Sequence, residues 1–178
     1  MFHKIENGTL FEIPDNAFGY VYKCYVPPLG YGINSITHKV EPTDIIPRAG
    51  FDEDCRWVRP TLPSDYIRRR KAEKNIQKID REYVDEYLEK IRMQEWKRRI
   101  RGVWFYNYNP HTKKVEEIYI TGLQYLYNKY WKFQGKYMDF RIPDRDFFYV
   151  LEYCMQDPDC LGINELTKRK NGKTARLG

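Results

Sequence analysis

The 178-residue sequence lacks the features that mark several common classes of protein. No apolar run approaches the roughly 20 residues that a membrane-spanning helix needs, so no membrane partner is expected. None of the cysteines lies in a Cys-x-x-Cys pair or near a histidine, which argues against a zinc site and a disulfide framework. They are Cys24, Cys55, Cys154 and Cys160. The first residues do not resemble a signal peptide, so a reducing cytoplasm is the expected compartment.

The sequence is well supplied with apolar residues and with positive charge. Hydrophobic residues make up 42% of the chain, which argues against general disorder, and the length suits one domain or one domain with an arm. The formal net charge of +6 favours an anionic partner. Most of the excess lies in residues 64–101, which hold 13 Lys or Arg against 8 Asp or Glu.

Proline and glycine divide the first part of the chain into short pieces. Residues 1–63 contain seven of the ten prolines and five of the eleven glycines. Strand-like runs such as 19–26 alternate with turn signals such as Pro27-Pro28. The sequence therefore predicts a loop-rich arm with a few strands, draped over the body of the protein or over another subunit.

Residues 64–101 contain neither proline nor glycine. Ser64 is a suitable N-cap, apolar residues recur every three or four positions, and Gly102 follows the last of them, so we expect one long basic amphipathic helix. Its basic clusters include Lys97–Arg99 and Arg101. They indicate either a contact with the DNA backbone or a solvated face, and the interleaved acidic residues favour the solvated face.

Residues 102–160 are predicted to form a β-hairpin and two helices. The hairpin spans 102–120, with Trp104, Tyr106 and Tyr108 on one face and Val103 and Phe105 on the other. Sixteen of the 29 aromatic residues lie in 102–153. They indicate a large aromatic core, and stacking on nucleic-acid bases is the alternative.

Capping signals set the bounds of the two helices that follow the hairpin. Thr121 and Gln124 form a capping box, which predicts a helix over 122–134 that ends near Gly135. Asp144 is the expected cap of a helix over 144–156, and Asp157-Pro158-Asp159 should end it. Together with the preceding segments, these elements predict an α+β fold.

The end of the sequence has the layout of a phosphate-binding loop. A short apolar run at 161–166 is predicted as a strand, and Thr167–Thr174 follows and ends in Gly-Lys-Thr. Gly172 lets the backbone approach a phosphate, Lys173 supplies an ammonium group and Thr174 a hydroxyl for Mg²⁺. The alternative is a basic surface tail that contacts nucleic acid.

The loop resembles the Walker A loop of the large terminases of tailed phages, the DNA-packaging ATPases. In that family the first glycine, here Thr167, is often missing, and an arginine commonly stands where Arg169 stands. Further motifs resemble large terminases of crAss-like phages and their relatives infecting Bacteroidetes: Gly102-Val-Trp-Phe-Tyr, Tyr119-Ile-Thr-Gly-Leu-Gln-Tyr-Leu-Tyr, Tyr130-Trp-Lys and Asp144-Arg-Asp-Phe-Phe-Tyr. The resemblance covers about residues 102 to 178.

The resemblance implies that ATP and Mg²⁺ bind to this loop. Lys173 would hold the β- and γ-phosphates, Arg169 would stabilise charge on the transferred phosphoryl group, and Thr174 would hold the metal. The remaining nucleotide contacts would come from Thr167, Lys168, Lys170, Asn171 and Gly172. No Gln stands at the position of the family's adenine contact, so Arg145 is the candidate that covers the base.

The resemblance also implies partners and a place in the cell. Double-stranded DNA, the portal protein and the small terminase subunit are the expected partners of a ring of identical subunits. The protein would work in the host cytoplasm during phage assembly, transiently at the capsid portal. A non-enzymatic nucleic-acid-binding or virion protein, built on the basic helix and the aromatic hairpin, is the alternative from a different class.

The sequence reaches Gly178 before any of the later motifs of a P-loop ATPase. No acidic motif, coupling motif or nuclease domain follows Thr174 within it, so we expect a fragment or a split gene product that does not hydrolyse ATP alone. For the same reason we expect residues 167–178 not to be preorganised for phosphate in this chain alone. An apolar run followed by Asp-Glu in the downstream reading frame would favour the terminase.

Overall fold

The computed structural model describes residues 5–15, 19–46, 78–109, 112–138 and 140–163. These residues form a mixed α+β fold with three helices and small sheets. The strands are β1 (Thr9–Asp15), β2 (Tyr20–Val26), β3 (Tyr31–Ile33), β4 (Val40–Pro42), β5 (Ile45–Ile46), β6 (Val103–Asn109), β7 (Lys114–Ile120), β8 (Lys132–Phe133) and β9 (Lys136–Tyr137). The helices are α1 (Lys78–Arg101), α2 (Gly122–Tyr130) and α3 (Ile142–Gln156).

The predicted aromatic hairpin is confirmed and lies at the centre of the fold. Strands β6 and β7 pair antiparallel, with Trp104 opposite Tyr119 and Phe105 opposite Ile118. Strand β5 extends this sheet by pairing parallel to β6. The segment predicted as an arm therefore contributes a strand to the central sheet. The other described strands of this segment form two separate hairpins, β1–β2 and β3–β4.

Both faces of the central hairpin are covered in its first half, over Val103–Phe105 and Ile118–Ile120. Trp104 and Tyr119 pack with residues of β2 and with Tyr149 of α3 on one face. On the other face Val103, Phe105, Ile118 and Ile120 pack with Tyr125 of α2. The buried rings contribute to a core, which is what their density in the sequence favours. A buried aromatic side chain stabilises the fold by about 1.5–3 kcal/mol relative to an exposed one.

The long helix is confirmed over Lys78–Arg101, and the predicted part from 64 to 77 lies outside the described residues. It ends at Arg101, and the next residue, Gly102, has a positive φ of 71°, the left-handed conformation that glycine adopts at low cost. The described side chains from Glu86 to Lys97 are exposed, with Glu95 the exception. Among the described side chains of the helix, Glu95 and those from Arg98 to Arg101 are the ones packed against the body.

The helix predicted over 122–134 is shorter in the structure. It begins after Thr121, whose side chain accepts a hydrogen bond from the Gln124 N–H group, but it ends at Tyr130. Trp131 has extended backbone angles, and a small hairpin of β8 and β9 follows. Gln134 and Gly135 both have positive φ, the pattern of a two-residue hairpin turn. The apolar residues continue at helical spacing beyond Tyr130, but the β8–β9 hairpin and its turn at Gln134–Gly135 end the helix there.

The start of α3 also differs from the prediction. The helix begins at Ile142 and its N-cap is Arg141, not Asp144. Pro143 lies in the first turn, where its missing N–H group is not needed. Asp144 is fully buried and binds the Arg141 guanidinium through two contacts of 2.8 Å. The acidic residue therefore stabilises the first turn through an ion pair and the helix dipole instead of through a cap.

The strand predicted at 161–166 is not present in its described part. Residues 161–163 have no regular structure, and Leu161 is fully exposed instead of buried. A strand needs a neighbour for its backbone groups, and no described strand pairs with these residues. The end of α3 at Gln156, before Asp157-Pro158-Asp159, is as predicted.

Candidate functional site

The predicted phosphate-binding loop, Thr167–Thr174, lies outside the residues that the structure describes. This range includes Arg169, Lys173 and Thr174. Before it, a turn ends α3: the Cys160 N–H group donates to the Asp157 carbonyl (3.1 Å), and the Asp159 N–H group donates to the Asp157 carboxylate (3.0 Å). The chemistry assigned to the loop therefore rests on its sequence.

Arg145, the candidate contact to adenine, is held in the body of the protein. Its guanidinium carbon lies 4.4 Å from the centre of the Phe11 ring, and its Nε and Nη2 atoms bind the Asp146 carboxylate at 2.9 and 2.8 Å. The side chain is 14% exposed. Arg145 thus connects α3 to β1, and it would have to leave the Phe11 ring to cover a nucleotide base.

The basic end of α1 binds to other parts of the protein. Arg98 forms ion pairs with Asp44 (2.7 Å) and Glu95 (2.8 Å). Arg101 pairs with Glu41 (2.5 Å), and the Arg99 guanidinium lies 4.2 Å from the centre of the Tyr130 ring. These arginines, predicted as a solvated face or a DNA contact, fasten α1 to the segment around β4 and β5 and to α2.

Exposed cations remain on α1 beside this cluster. Lys90 and Lys97 are exposed and line a groove of about 330 Å³ with Met93 and the segment Pro42–Asp44. Seven residues separate the two lysines, so they lie on the same face of the helix, about 10 Å apart along its axis. This face carries free positive charge, in contrast to the paired arginines.

Glu95 is the centre of a buried polar network between α1 and α2. It is 6% exposed and accepts hydrogen bonds from the hydroxyl groups of Tyr125 (2.7 Å) and Tyr130 and from Arg98 (2.8 Å). Burial by itself would raise the pKa of Glu95, but the bonds from Tyr130 and Tyr125 and the Arg98 charge together lower it. The carboxylate therefore stays ionised inside the fold.

A cavity of about 580 Å³ lies between the β1–β2 hairpin, the β3–β4 hairpin and α3. It is the larger of the two described cavities, and five of its lining residues have a raised pKa: Cys24, Tyr119, Tyr149, Glu152 and Tyr153. Its lining residues are Ile5, Glu6, Asn7, Cys24, Tyr25, Val26, Ile33, His38, Val40, Tyr119, Thr121, Tyr149, Glu152, Tyr153 and Gln156. Sequence reasoning missed this site. Tyr149, Glu152, Tyr153 and Gln156 are spaced to lie on one helical face, and this spacing is the signal in the sequence that could have indicated it.

Glu152 forms the buried acidic part of the cavity wall. It is 8% exposed, and its Oε1 atom accepts a hydrogen bond of 3.1 Å from the Leu123 N–H group in the first turn of α2. Burial raises the pKa of Glu152, although hydrogen bonds from Thr121 and Leu123 oppose the rise. The carboxyl group thus caps α2 from the side of α3 and also faces the cavity.

Buried hydroxyl and thiol groups complete the wall. The Tyr119 hydroxyl donates to the Arg101 carbonyl (2.7 Å) and accepts from the Ile33 N–H group (3.1 Å), and the Tyr149 hydroxyl donates to the Tyr119 carbonyl (2.6 Å). Burial raises the pKa of both tyrosines and raises the pKa of Cys24 to about 12. At neutral pH these groups are therefore protonated, so they line the cavity and do not serve as nucleophiles.

Within the described residues, no group of three or more His, Cys, Asp or Glu side chains is placed to hold a metal ion. Among the helices in the same ranges, none is both long and apolar enough to span a bilayer. No protein-family model, curated protein or solved structure matches the chain. The function must therefore be inferred from the residues themselves.

Proposed function

We propose that this chain is the N-terminal portion of a phage terminase large subunit, the ATP-driven motor that packages double-stranded DNA into the capsid. The observation that supports the proposal is the loop Thr167–Thr174, with Arg169 inside it and Gly-Lys-Thr at its end. The loop region carries Lys168, Arg169, Lys170 and Lys173, and no acidic residue follows Glu165. Such a segment is stabilised by a bound anion, because its charges otherwise repel each other.

Each residue of the loop has a distinct role in this proposal. Gly172 lets backbone N–H groups approach the phosphate chain, and Lys173 binds the β- and γ-phosphates. Thr174 offers its hydroxyl to the Mg²⁺ that accompanies ATP. Arg169 neutralises charge that develops on the transferred phosphoryl group, the role of an arginine finger supplied by the same chain.

The partners follow from the same proposal. A ring of identical subunits would act on double-stranded DNA and dock on the portal protein and on the small terminase subunit. Work in the host cytoplasm, transiently at the capsid portal, also belongs to this proposal. The net charge of +6 and the exposed lysines of α1 suit the DNA partner.

The decisive experiment measures DNA-stimulated ATP hydrolysis by the full-length gene product. Arg169→Ala should lower kcat on the order of 10³-fold with little change in nucleotide affinity, because its charge acts in the transition state. Lys173→Ala should also abolish detectable ATP binding. Lys114→Ala, an exposed lysine of β7, is the matched control and should leave both quantities unchanged. Unchanged hydrolysis in both loop variants would refute the proposal.

A non-enzymatic nucleic-acid-binding or virion protein is the second candidate, favoured by the exposed Lys90 and Lys97 on α1. Trp104 and Tyr119 are buried and so are not placed to stack on bases, whereas Tyr108 of the same hairpin is exposed. The downstream reading frame separates the candidates. Four apolar residues followed by Asp-Glu would supply the missing metal- and water-positioning group of an ATPase.

A further inference from the structure

The cavity at α3 has the volume of a small-molecule site. Its volume of about 580 Å³ lies within the roughly 300–1,000 Å³ that is typical of ligand pockets. Several of its wall residues are more than nine-tenths buried: Cys24, Val26, Tyr119, Tyr149 and Glu152. The base of the wall is thus built from the protein core, and its rim includes the exposed residues Glu6, Asn7, His38 and Val40.

The charges in the wall are of one sign. Two carboxylate residues, Glu6 and Glu152, line the cavity; its described lining includes neither lysine nor arginine, and His38 is its one basic side chain. The described hydrogen-bond partners of Glu152 are neutral, namely the Leu123 N–H group and the Thr121 hydroxyl, and no described cation lies within ion-pair distance of it. A carboxylate has room for more than two donors. A positively charged group in the cavity would therefore complete its interactions.

The remainder of the wall is aromatic and apolar. Tyr25, Tyr119, Tyr149 and Tyr153 contribute rings, and Val26, Ile33 and Val40 contribute aliphatic groups. Aromatic faces attract ammonium groups, most strongly where water is excluded. An anionic ligand would meet the two carboxylates without a compensating cation, and a fully apolar one would leave Glu152 without a new donor.

We infer that this cavity binds a small organic cation, an amine whose ammonium group meets Glu152 and whose apolar or aromatic part packs among the tyrosine rings. The inference does not depend on the terminase proposal, because it uses none of the residues of the loop. It assigns a ligand-binding role to the face of α3 that carries Tyr149, Glu152 and Tyr153.

Phenethylamine is a suitable probe, because it combines an ammonium group with one aromatic ring. Two probes of similar size are compared with it: neutral 3-phenylpropan-1-ol and anionic 3-phenylpropanoate. Calorimetry or ligand-observed NMR with the full chain should give a phenethylamine Kd below about 1 mM, at least tenfold weaker binding of the alcohol, and no binding of the acid. Equal affinities for the three probes, or no binding of phenethylamine, would overturn the inference.

Variants locate the binding within the cavity. Glu152→Gln keeps an acceptor for the Leu123 N–H group and should weaken phenethylamine at least tenfold, whereas Glu89→Gln, an exposed acid on α1, should have no effect. If Glu152→Gln fails to fold, the variant Glu6→Gln, at the exposed end of the wall, is used instead. Its affinity for phenethylamine should be at least twofold lower than that of the unmodified chain. An unchanged Kd in the folded variant would overturn the inference.

Discussion

Two buried carboxyl groups, Glu95 and Glu152, differ in pKa because their partners differ. Both are less than one-tenth exposed. Glu95 receives two tyrosine hydroxyl groups and the Arg98 guanidinium, and its pKa is lowered from the ordinary 4.5 despite burial. Burial dominates at Glu152, whose partners are neutral, and its pKa is raised from the same value. Burial alone therefore does not decide the charge of an acidic residue; the charges and donors around it do.

The lowered pKa of Glu95 predicts how its contribution to stability depends on pH. The pKa of folded Glu95 is below its unfolded value, so the stability that it contributes is present above pH 4.5 and is lost as pH falls through the lower folded pKa. Glu95→Gln should therefore lower the free energy of unfolding by about 2 kcal/mol at pH 7, because a charge-assisted network is broken. The deficit should shrink below pH 4.5. Urea unfolding at several pH values measures it.

Glu117→Gln is the matched control for Glu95→Gln. Glu117 is an exposed acid of β7, and its substitution should change the free energy of unfolding by less than about 0.5 kcal/mol at every pH. A deficit in Glu95→Gln that stays constant down to pH 3 would contradict the prediction. It would mean that the loss comes from packing and not from the ionised carboxylate.

At the scale of elements, the last turn of α1 is the point where several segments meet. The Ile100 carbonyl accepts from the Ser35 N–H group (2.9 Å), and the Arg101 carbonyl accepts from the Tyr119 hydroxyl (2.7 Å). Three glycines lie at this turn, and a Cβ atom on any of them would overlap a backbone carbonyl oxygen. The Cβ on Gly32 would meet the oxygen of Arg101, and the Cβ on Gly122 would meet the oxygen of Arg99. The Cβ on Gly102 would meet the oxygen of Ile120. The close approach of α1, β3 and α2 therefore depends on the absence of side chains.

Gly122→Ala tests this close approach. In a free helix alanine is favoured over glycine by about 1 kcal/mol. Here the added Cβ would overlap the Arg99 carbonyl oxygen, and we expect the cost of moving that backbone to exceed the gain in helix propensity. The net loss should be about 2 kcal/mol, or roughly 4–8 °C in Tm for a chain of this size. Gly162→Ala is the control, because its Cβ would meet no heavy atom within 4 Å. Equal melting temperatures for both variants would contradict the argument.

Local signals in the sequence predicted the elements, and long-range contacts could not be read from it. The N-cap at Thr121, the helix end at Gly102 and the break at Asp157 each depend on a few neighbouring residues. The parallel pairing of β5 with β6 joins Ile45 to Trp104, and the Glu95 network joins α1 to Tyr125 and Tyr130. Such contacts depend on packing between distant segments, which periodicity and capping do not specify.

The candidate sites divide in the same way. The predicted phosphate-binding loop is a contiguous motif, so its pattern can be recognised in the sequence. The cavity is assembled from five separate segments, so no local pattern in the sequence reveals it. The basic end of α1 illustrates the limit of composition. Arg98, Arg99 and Arg101 contribute to the net charge, but their guanidinium groups bind Asp44, the Tyr130 ring and Glu41. Charge counted along the sequence therefore overstates the charge that is free to meet a partner.

At the scale of the whole molecule, the exposed side of α1 is one described surface that carries positive charge. Lys90 and Lys97 occupy one helical face beside the groove at Pro42–Asp44. If this face contacts duplex DNA, binding should be weak and independent of sequence, because phosphate contacts carry no sequence information. The arginines at the end of the helix should matter for stability instead, since removing Arg98 leaves Asp44 and Glu95 without their cation.

The salt dependence of DNA binding distinguishes a contact at α1 from a general effect of net charge. The double variant Lys90→Ala/Lys97→Ala should flatten the slope of log K against log salt by about 2, because each lost phosphate contact releases about 0.9 fewer counterions. Lys39→Ala/Lys114→Ala removes the same charge from exposed positions elsewhere and should change the slope by less than about 0.5. Fluorescence anisotropy with labelled duplex DNA between about 50 and 200 mM salt provides the slopes. Equal changes in both double variants would show that net charge alone attracts the DNA, and the face of α1 would then have no specific part in binding.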